Sequence, residues 1–167
     1  LTKQTTPDAA SQSFAFTTSA SPAATMTPSS FNLIDGNSQT ATVLLDSAGG
    51  TQALTLTETS ASGWASTASI ACTTPTGGSA ASYVTINNTN RTITANLTTT
   101  NYGAVCTITN TKLPTVTVTK VSNGGTGAFS FNSAGSSNGF ASQTITTATS
   151  GTGVAGTTQT LAAVSTI

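Results

Sequence analysis

Three polar residues stand where the alternation of a β-strand points side chains toward a core. Lys3 is in phase with Leu1, Glu58 with Leu54 and Leu56, and Asn110 with Cys106 and Ile108. Lys120 repeats the pattern against Val116 and Val118. Burying an unpaired ammonium or carboxylate costs several kcal/mol, and only 5% of this chain is charged. Glu58 is its single glutamate. A shared polar site holding the amine, the carboxyl and the amide is one reading of these positions. Outward-facing residues that merely fall in phase is the other.

Other kinds of chemistry lack their parts. There is no histidine, which removes the usual general base of a serine or cysteine hydrolase and the commonest metal ligand. A glycosidase would need paired carboxylates across a cleft, and none are spaced for it. Asp35-Gly36-Asn37 and Asp46-Ser47-Ala48-Gly49-Gly50 are not carboxylate-dense enough for calcium and read as turns. No metal site and no cofactor are expected, nor any enzyme that turns over a substrate. Cys72 and Cys106 lie far apart with no Cys-x-x-Cys spacing. A structural disulfide is the preferred reading over two buried thiols, and closing such a loop is worth about 3 to 4 kcal/mol.

Four basic and four acidic residues balance to zero. Nucleic acid and anionic lipid, which need clustered Lys and Arg, are therefore not expected partners. A neutral Ser/Thr/Asn/Gly surface suits an extracellular module that is anchored or meant to associate. No run approaches the ~20 apolar residues of a membrane span, so no membrane insertion is expected of this segment. Asn-x-Thr triplets begin at Asn87, Asn90 and Asn96 and read as chance matches.

The elements that must position the polar residues are strands. Threonine, β-branched with a polar outward face, is the commonest residue. Alternation is legible at residues 13–17, 41–45, 53–57, 83–86, 92–97 and 105–109, each bounded by Gly, Pro, Asn or Asp. Around Ala20 to Met26 a helix is interrupted by Pro22 and Pro28. The expected fold class is all-β, a β-sandwich with little or no helix.

Thr115 to Lys120 followed by Ala128-Phe129-Ser130-Phe131 mirrors Leu1-Thr2-Lys3 followed by Phe14-Ala15-Phe16-Thr17. Ser38-Gln39-Thr40-Ala41-Thr42 recurs as Ser142-Gln143-Thr144-Ile145-Thr146. The expected domains are a first repeat over 1–113 and a second, partial repeat over 114–167, joined at Leu113-Pro114 with almost no linker. The second copy stops at Val164 to Ile167, near the point matching Leu54 to Thr57 in the first. The chain thus reads as a window onto a longer array.

The stretch Thr57-Glu58-Thr59 leading to Gly63-Trp64, the early Lys3 and the late Thr109-Asn110-Thr111 resemble the Cna B-type, SpaA-like prealbumin-fold repeats of bacterial pilins, adhesins and surface fibres. That resemblance implies an all-β fold of tandem Ig-like or prealbumin-like β-sandwich repeats, and an intramolecular isopeptide bond between Lys3 and Asn110, assisted in a single turnover by Glu58. It also implies that Lys120 starts a second bond whose Glu and Asn lie beyond Ile167. The chemistry needs those types, since a desolvated lysine becomes a nucleophile and a carboxyl raised by burial polarises the amide and shuttles protons.

Repetition and internal staples favour a mechanical module of a secreted bacterial fibre or pilus-like appendage, its partners neighbouring repeats or copies of itself. The alternative is an adhesin module binding glycan or a surface protein through sandwich loops, with Trp64, Tyr83 and Tyr102 as aromatic anchors.

Overall fold

The computed structural model describes residues 1–21, 26–44, 50–133 and 139–162. The chain forms two compact units, Leu1–Lys112 and Leu113–Ile167. Among the described residues there is no helix, and the fold is an all-β sandwich.

In the first unit, β1 (Thr2–Thr6), β10 (Val105–Thr111) and β7 (Ser69–Thr73) make a three-stranded sheet in the order β1-β10-β7. The first and last strands of the unit are parallel neighbours, with Lys3 opposite Ile108 and Thr5 opposite Asn110. The facing sheet is antiparallel and five-stranded, in the order β4 (Ser30–Leu33), β2 (Phe14–Ser21), β6 (Gln52–Glu58), β9 (Thr92–Leu97), β8 (Val84–Asn87). Period-two alternation explains which faces meet. β2 turns Phe14 and Phe16 inward, β9 turns Ile93, Ala95 and Leu97, and β10 turns Cys106, Ile108 and Asn110. Their apolar members join Leu33, Leu54, Ile70 and Trp64 in one core.

The expected disulfide is present. Cys72 and Cys106 are bonded and sit directly opposite each other on β7 and β10. The bond pins the edge strand β7 to the strand that carries Asn110.

Several elements differ from expectation. The strand expected at 41–45 shrinks to β5 (Thr42–Val43), paired with β3 (Met26–Thr27). Leu44, with no ladder to hold it, is 85% exposed. Leu45, the turn at 46–49 and residues 22–25 lie outside the described residues. Ile86 is 38% exposed because β8 is an edge strand of the wider sheet. β4 and β7 were not among the expected strands, being short, with β4 reading Ser-Phe-Asn-Leu and β7 Ser-Ile-Ala-Cys-Thr.

In the second unit, β11 (Thr115–Val116) pairs with β16 (Gln159–Thr160), β12 (Thr119–Val121) with β15 (Gly153–Ala155), and β13 (Gly127–Phe131) with β14 (Gln143–Thr147). Here the expected match between Ser38–Thr42 and Ser142–Thr146 is corrected. β14 pairs with the Phe-x-Phe strand β13 as β4 pairs with β2. Gly156 N–H donates to Val118 O as Gln39 N–H donates to Leu1 O. The segment equivalent to Ser38–Thr42 therefore starts near Ala155. Val164 to Ile167 lie outside the described residues.

Replacing both cysteines (Cys72→Ala with Cys106→Ala) should lower unfolding stability by about 3 to 4 kcal/mol, because the unfolded chain loses its closed loop. Urea denaturation of the two proteins measures the difference, and equal midpoints would count against this role.

Candidate functional site

β1, β6 and β10 converge on one polar cluster inside the first unit. Lys3 is 0%, Glu58 2% and Asn110 3% exposed, so all three expected residues point inward and lie together. Lys3 Nζ donates to the backbone carbonyls of Gln4 at 2.6 Å and Ile108 at 3.1 Å. It lies 3.6 Å from Glu58 Oε1 and 4.4 Å from the centre of the Phe14 ring. Asn110 Nδ2 donates to Glu58 Oε2 at 2.9 Å. Glu58 Oε1 and Asn110 Oδ1 are buried without a hydrogen-bond partner.

The apolar shell above the cluster comes from the turn after β6. Gly63 takes a φ of 80°, which a residue without Cβ adopts freely, and Trp64 follows. Its ring meets Phe14 edge-on at 5.0 Å. The Ala65 N–H donates to Thr111 O, anchoring this turn to β10. Water is excluded by a stack in which Trp64 covers Phe14 and Phe14 covers Lys3.

Burial dominates the electrostatics. It pushes Lys3 below the ordinary lysine value, only partly opposed by the Glu58 carboxylate. Burial likewise raises Glu58, against the Asn110 hydrogen bond and the charges of Lys3 and Arg91. Both shifts move the pair toward a neutral amine facing a carboxyl group that can carry a proton.

Arg91 is the member that sequence reasoning missed. It is 8% exposed, its Nε is 3.8 Å from Glu58 Oε2, and its Nη2 donates to Ala65 O at 2.9 Å. A signal was there, since Arg91 is in phase with Ile93, Ala95 and Leu97. Its place at the end of an Asn-rich turn hides it.

Of the aromatic residues considered as binding anchors, Trp64 and Tyr83 are core residues at 8% and 7% exposure. The Tyr83 hydroxyl donates to Gly103 O at 2.7 Å. Tyr102 is 64% exposed. Lys120, in the second unit, is half-buried. Its Nζ donates to Val121 O at 2.8 Å and lies 4.3 Å from the Phe129 ring centre, much as Lys3 meets Gln4 O and Phe14. No carboxylate side chain occurs between residues 114 and 167. Among the described residues no group of His, Cys, Asp or Glu could hold a metal ion.

A family model described as a prealbumin-like fold domain, of the SpaA type, matches residues 1–112. No curated protein and no solved structure matches the chain.

Lys3 is also held from outside the core. Asp35 accepts the backbone N–H groups of Thr5 and Ala9, while Gly36 N–H donates to Lys3 O and Lys3 N–H to Asn37 O. The Ala9 hydrogen bond is the largest cause holding the Asp35 carboxyl below its ordinary value of 3.8. The unfolded chain therefore takes up this proton first. The stabilisation is complete above the ordinary value and is lost as pH falls through the depressed one. Asp35→Asn should melt below the parent at pH 7, and the gap should close as pH falls below about 4. Melting curves across that range test it, and a gap that is constant with pH would contradict it.

Proposed function

The chain belongs to the SpaA-type prealbumin-like fold family, and from that premise we propose that it is a mechanical module of a bacterial surface fibre, cross-linked internally by an isopeptide bond between Lys3 and Asn110. Prealbumin-like SpaA domains are structural units of surface pilins. The observation that carries the cross-link is the burial of Lys3, Glu58 and Asn110 in one site, with Glu58 in contact with both partners.

The reaction balances without a co-reactant. The Lys3 amine attacks Cγ of Asn110 and a C–N bond forms. Glu58 takes a proton from the attacking nitrogen and delivers it to the departing amide nitrogen. The Cγ–Nδ2 bond breaks and ammonia leaves.

The bond suits a load-bearing role because it joins the first and last strands of the unit, which are parallel neighbours. Tension applied at the start of β1 and the end of β10 shears that ladder lengthwise. A covalent tie between the two would take the load in place of the hydrogen bonds. In the second unit, the matching environment of Lys120 supports its reading as the lysine of a second bond of the same kind. This reading places the protein outside the cell, with neighbouring repeats or further copies of itself as partners.

One observation favours a second reading as an adhesin module. Tyr102 lines a cavity of about 550 Å³ together with Leu54, Ile93 and Leu97, a shape that takes apolar groups. Loss of glycan or protein binding on Tyr102→Ala would support it.

Intact mass under reducing conditions tests the cross-link. The wild-type chain should be lighter than its sequence by one ammonia, and Lys3→Arg or Glu58→Ala should restore the full mass. A full-mass wild-type chain rules the bond out.

A further inference from the structure

Arg91 is the one charged residue of the cluster that the bond-forming steps leave without a task. The chain has four basic residues, and two of them, Lys3 and Arg91, are buried against the same carboxylate. The placement is deliberate at the backbone as well. Arg91 takes a φ of 53°, a conformation that side-chain-bearing residues adopt infrequently. Its carbonyl accepts the Glu58 N–H at 3.1 Å, which fixes the two residues side by side.

Two cations and one anion leave the site with a net positive charge, which a water-excluded interior does not tolerate well. The groups around Lys3 offer little to neutralise it. Phe14 on β2 and Asn110 on β10 are uncharged, Glu58 on β6 is shared with Arg91, and Asp35 spends its oxygens on Thr5 and Ala9. The Arg91 guanidinium brings a fixed positive charge to the cluster. Protonating Glu58 would leave the net charge positive. The neutral arrangement is a charged Arg91, an ionised Glu58 and an uncharged Lys3.

We propose that Arg91 is a positioning residue whose positive charge beside Glu58 offsets the pull of that carboxylate on the Lys3 proton and so keeps Lys3 as a free amine in the folded protein, ready to attack Asn110. The proposal deepens the cross-link reading and rests on it. The contacts fit. Lys3 Nζ makes two hydrogen bonds, to Gln4 O and Ile108 O, which use the two protons of a neutral amine. Glu58 Oε1 stays at 3.6 Å, beyond hydrogen-bond range. An ammonium ion beside a buried carboxylate closes that gap to about 2.8 Å. Burial lowers Lys3 in the same direction. Without Arg91, Lys3 and Glu58 form a neutral ion pair by themselves, with the proton resting on the lysine and the nucleophile quenched.

The test separates this proposal from the bond itself. In Asn110→Ala, which cannot cross-link, Lys3 can be titrated by NMR of isotope-labelled lysine. Its side chain should be uncharged at pH 7. In Asn110→Ala with Arg91→Gln the midpoint should rise by about one pH unit or more, and Arg91→Lys in place of Arg91→Gln should keep it low. A Lys3 that is protonated at pH 7 while Arg91 is present overturns the proposal whether or not the Arg91 variants fold. An unchanged midpoint in Arg91→Gln overturns it too. With Asn110 intact, Arg91→Gln should cross-link at least about tenfold more slowly at pH 7 and recover at alkaline pH, a loss of one decade corresponding to the same one-unit shift. If wild-type protein shows no ammonia loss, the cross-link reading fails and the titration still decides the role of Arg91.

Discussion

The first unit depends on one constraint: Lys3, Glu58, Asn110 and Arg91 are buried together in one polar cluster. A lysine nitrogen at 0% exposure, 4.4 Å from a phenyl ring, is compatible with a stable fold only where its protons are accepted. The carbonyls of Gln4 and Ile108 accept them, and those carbonyls belong to β1 and to the strand paired with it. Parallel pairing of β1 with β10 is therefore what makes the site. A one-residue slip would turn Asn110 or Lys3 to the opposite face. Trp64 over Phe14, the Gly63 turn and the Asp35 clamp all hold that register or seal it from water. Low dielectric then makes each remaining interaction stronger and each unpaired group costlier.

Strand phase made much of this legible in the sequence, because a polar residue at an inward position is informative in a chain with so few charges. Lys3, Glu58 and Asn110 were visible for that reason, and so were β6, β9 and β10. The same logic applied to Arg91 and was masked by its turn, whose Asn residues signal solvent exposure. β4 and β7 were illegible because their inward positions hold only one or two apolar residues each, and tertiary pairing decides such strands rather than pattern. The Ser-Gln-Thr recurrence misled for a related reason. Residue identity in polar strands is cheap to repeat, whereas equivalence is set by hydrogen-bond partners, as the shared positions of Gln39 and Gly156 show.

The two lysines separate what is local from what requires a whole sandwich. Lys120 meets the carbonyl of the next residue and the ring of Phe129, as Lys3 meets Gln4 O and Phe14. This arrangement belongs to the opening strand and the Phe-x-Phe strand, and it forms in both units. Complete burial does not come with it. Lys120 stays half-buried, while Lys3 is sealed by β6, β10 and the Trp64 turn. The perturbed chemistry of Lys3 is thus a property of the assembled core, added to a contact that short-range sequence already provides.

The disulfide and the proposed cross-link fall on one sheet. Cys72–Cys106 joins β7 to β10, and the proposed Lys3–Asn110 bond joins β10 to β1, so both ladders of the three-stranded sheet would be bridged. The five-stranded sheet has no such tie and relies on its broad apolar face of Phe14, Phe16, Leu54, Ile93 and Leu97. Under the proposed mechanical role, the division follows from where tension would run. A unit pulled through its first and last strands loads the sheet that contains both, and the opposite sheet is loaded only through packing. Packing resists separation poorly along its plane because dispersion contacts re-form as surfaces slide, whereas a bond between adjacent strands forbids the slide. A small, charge-poor domain gains most by placing its few reactive side chains in the ladder that would otherwise shear first.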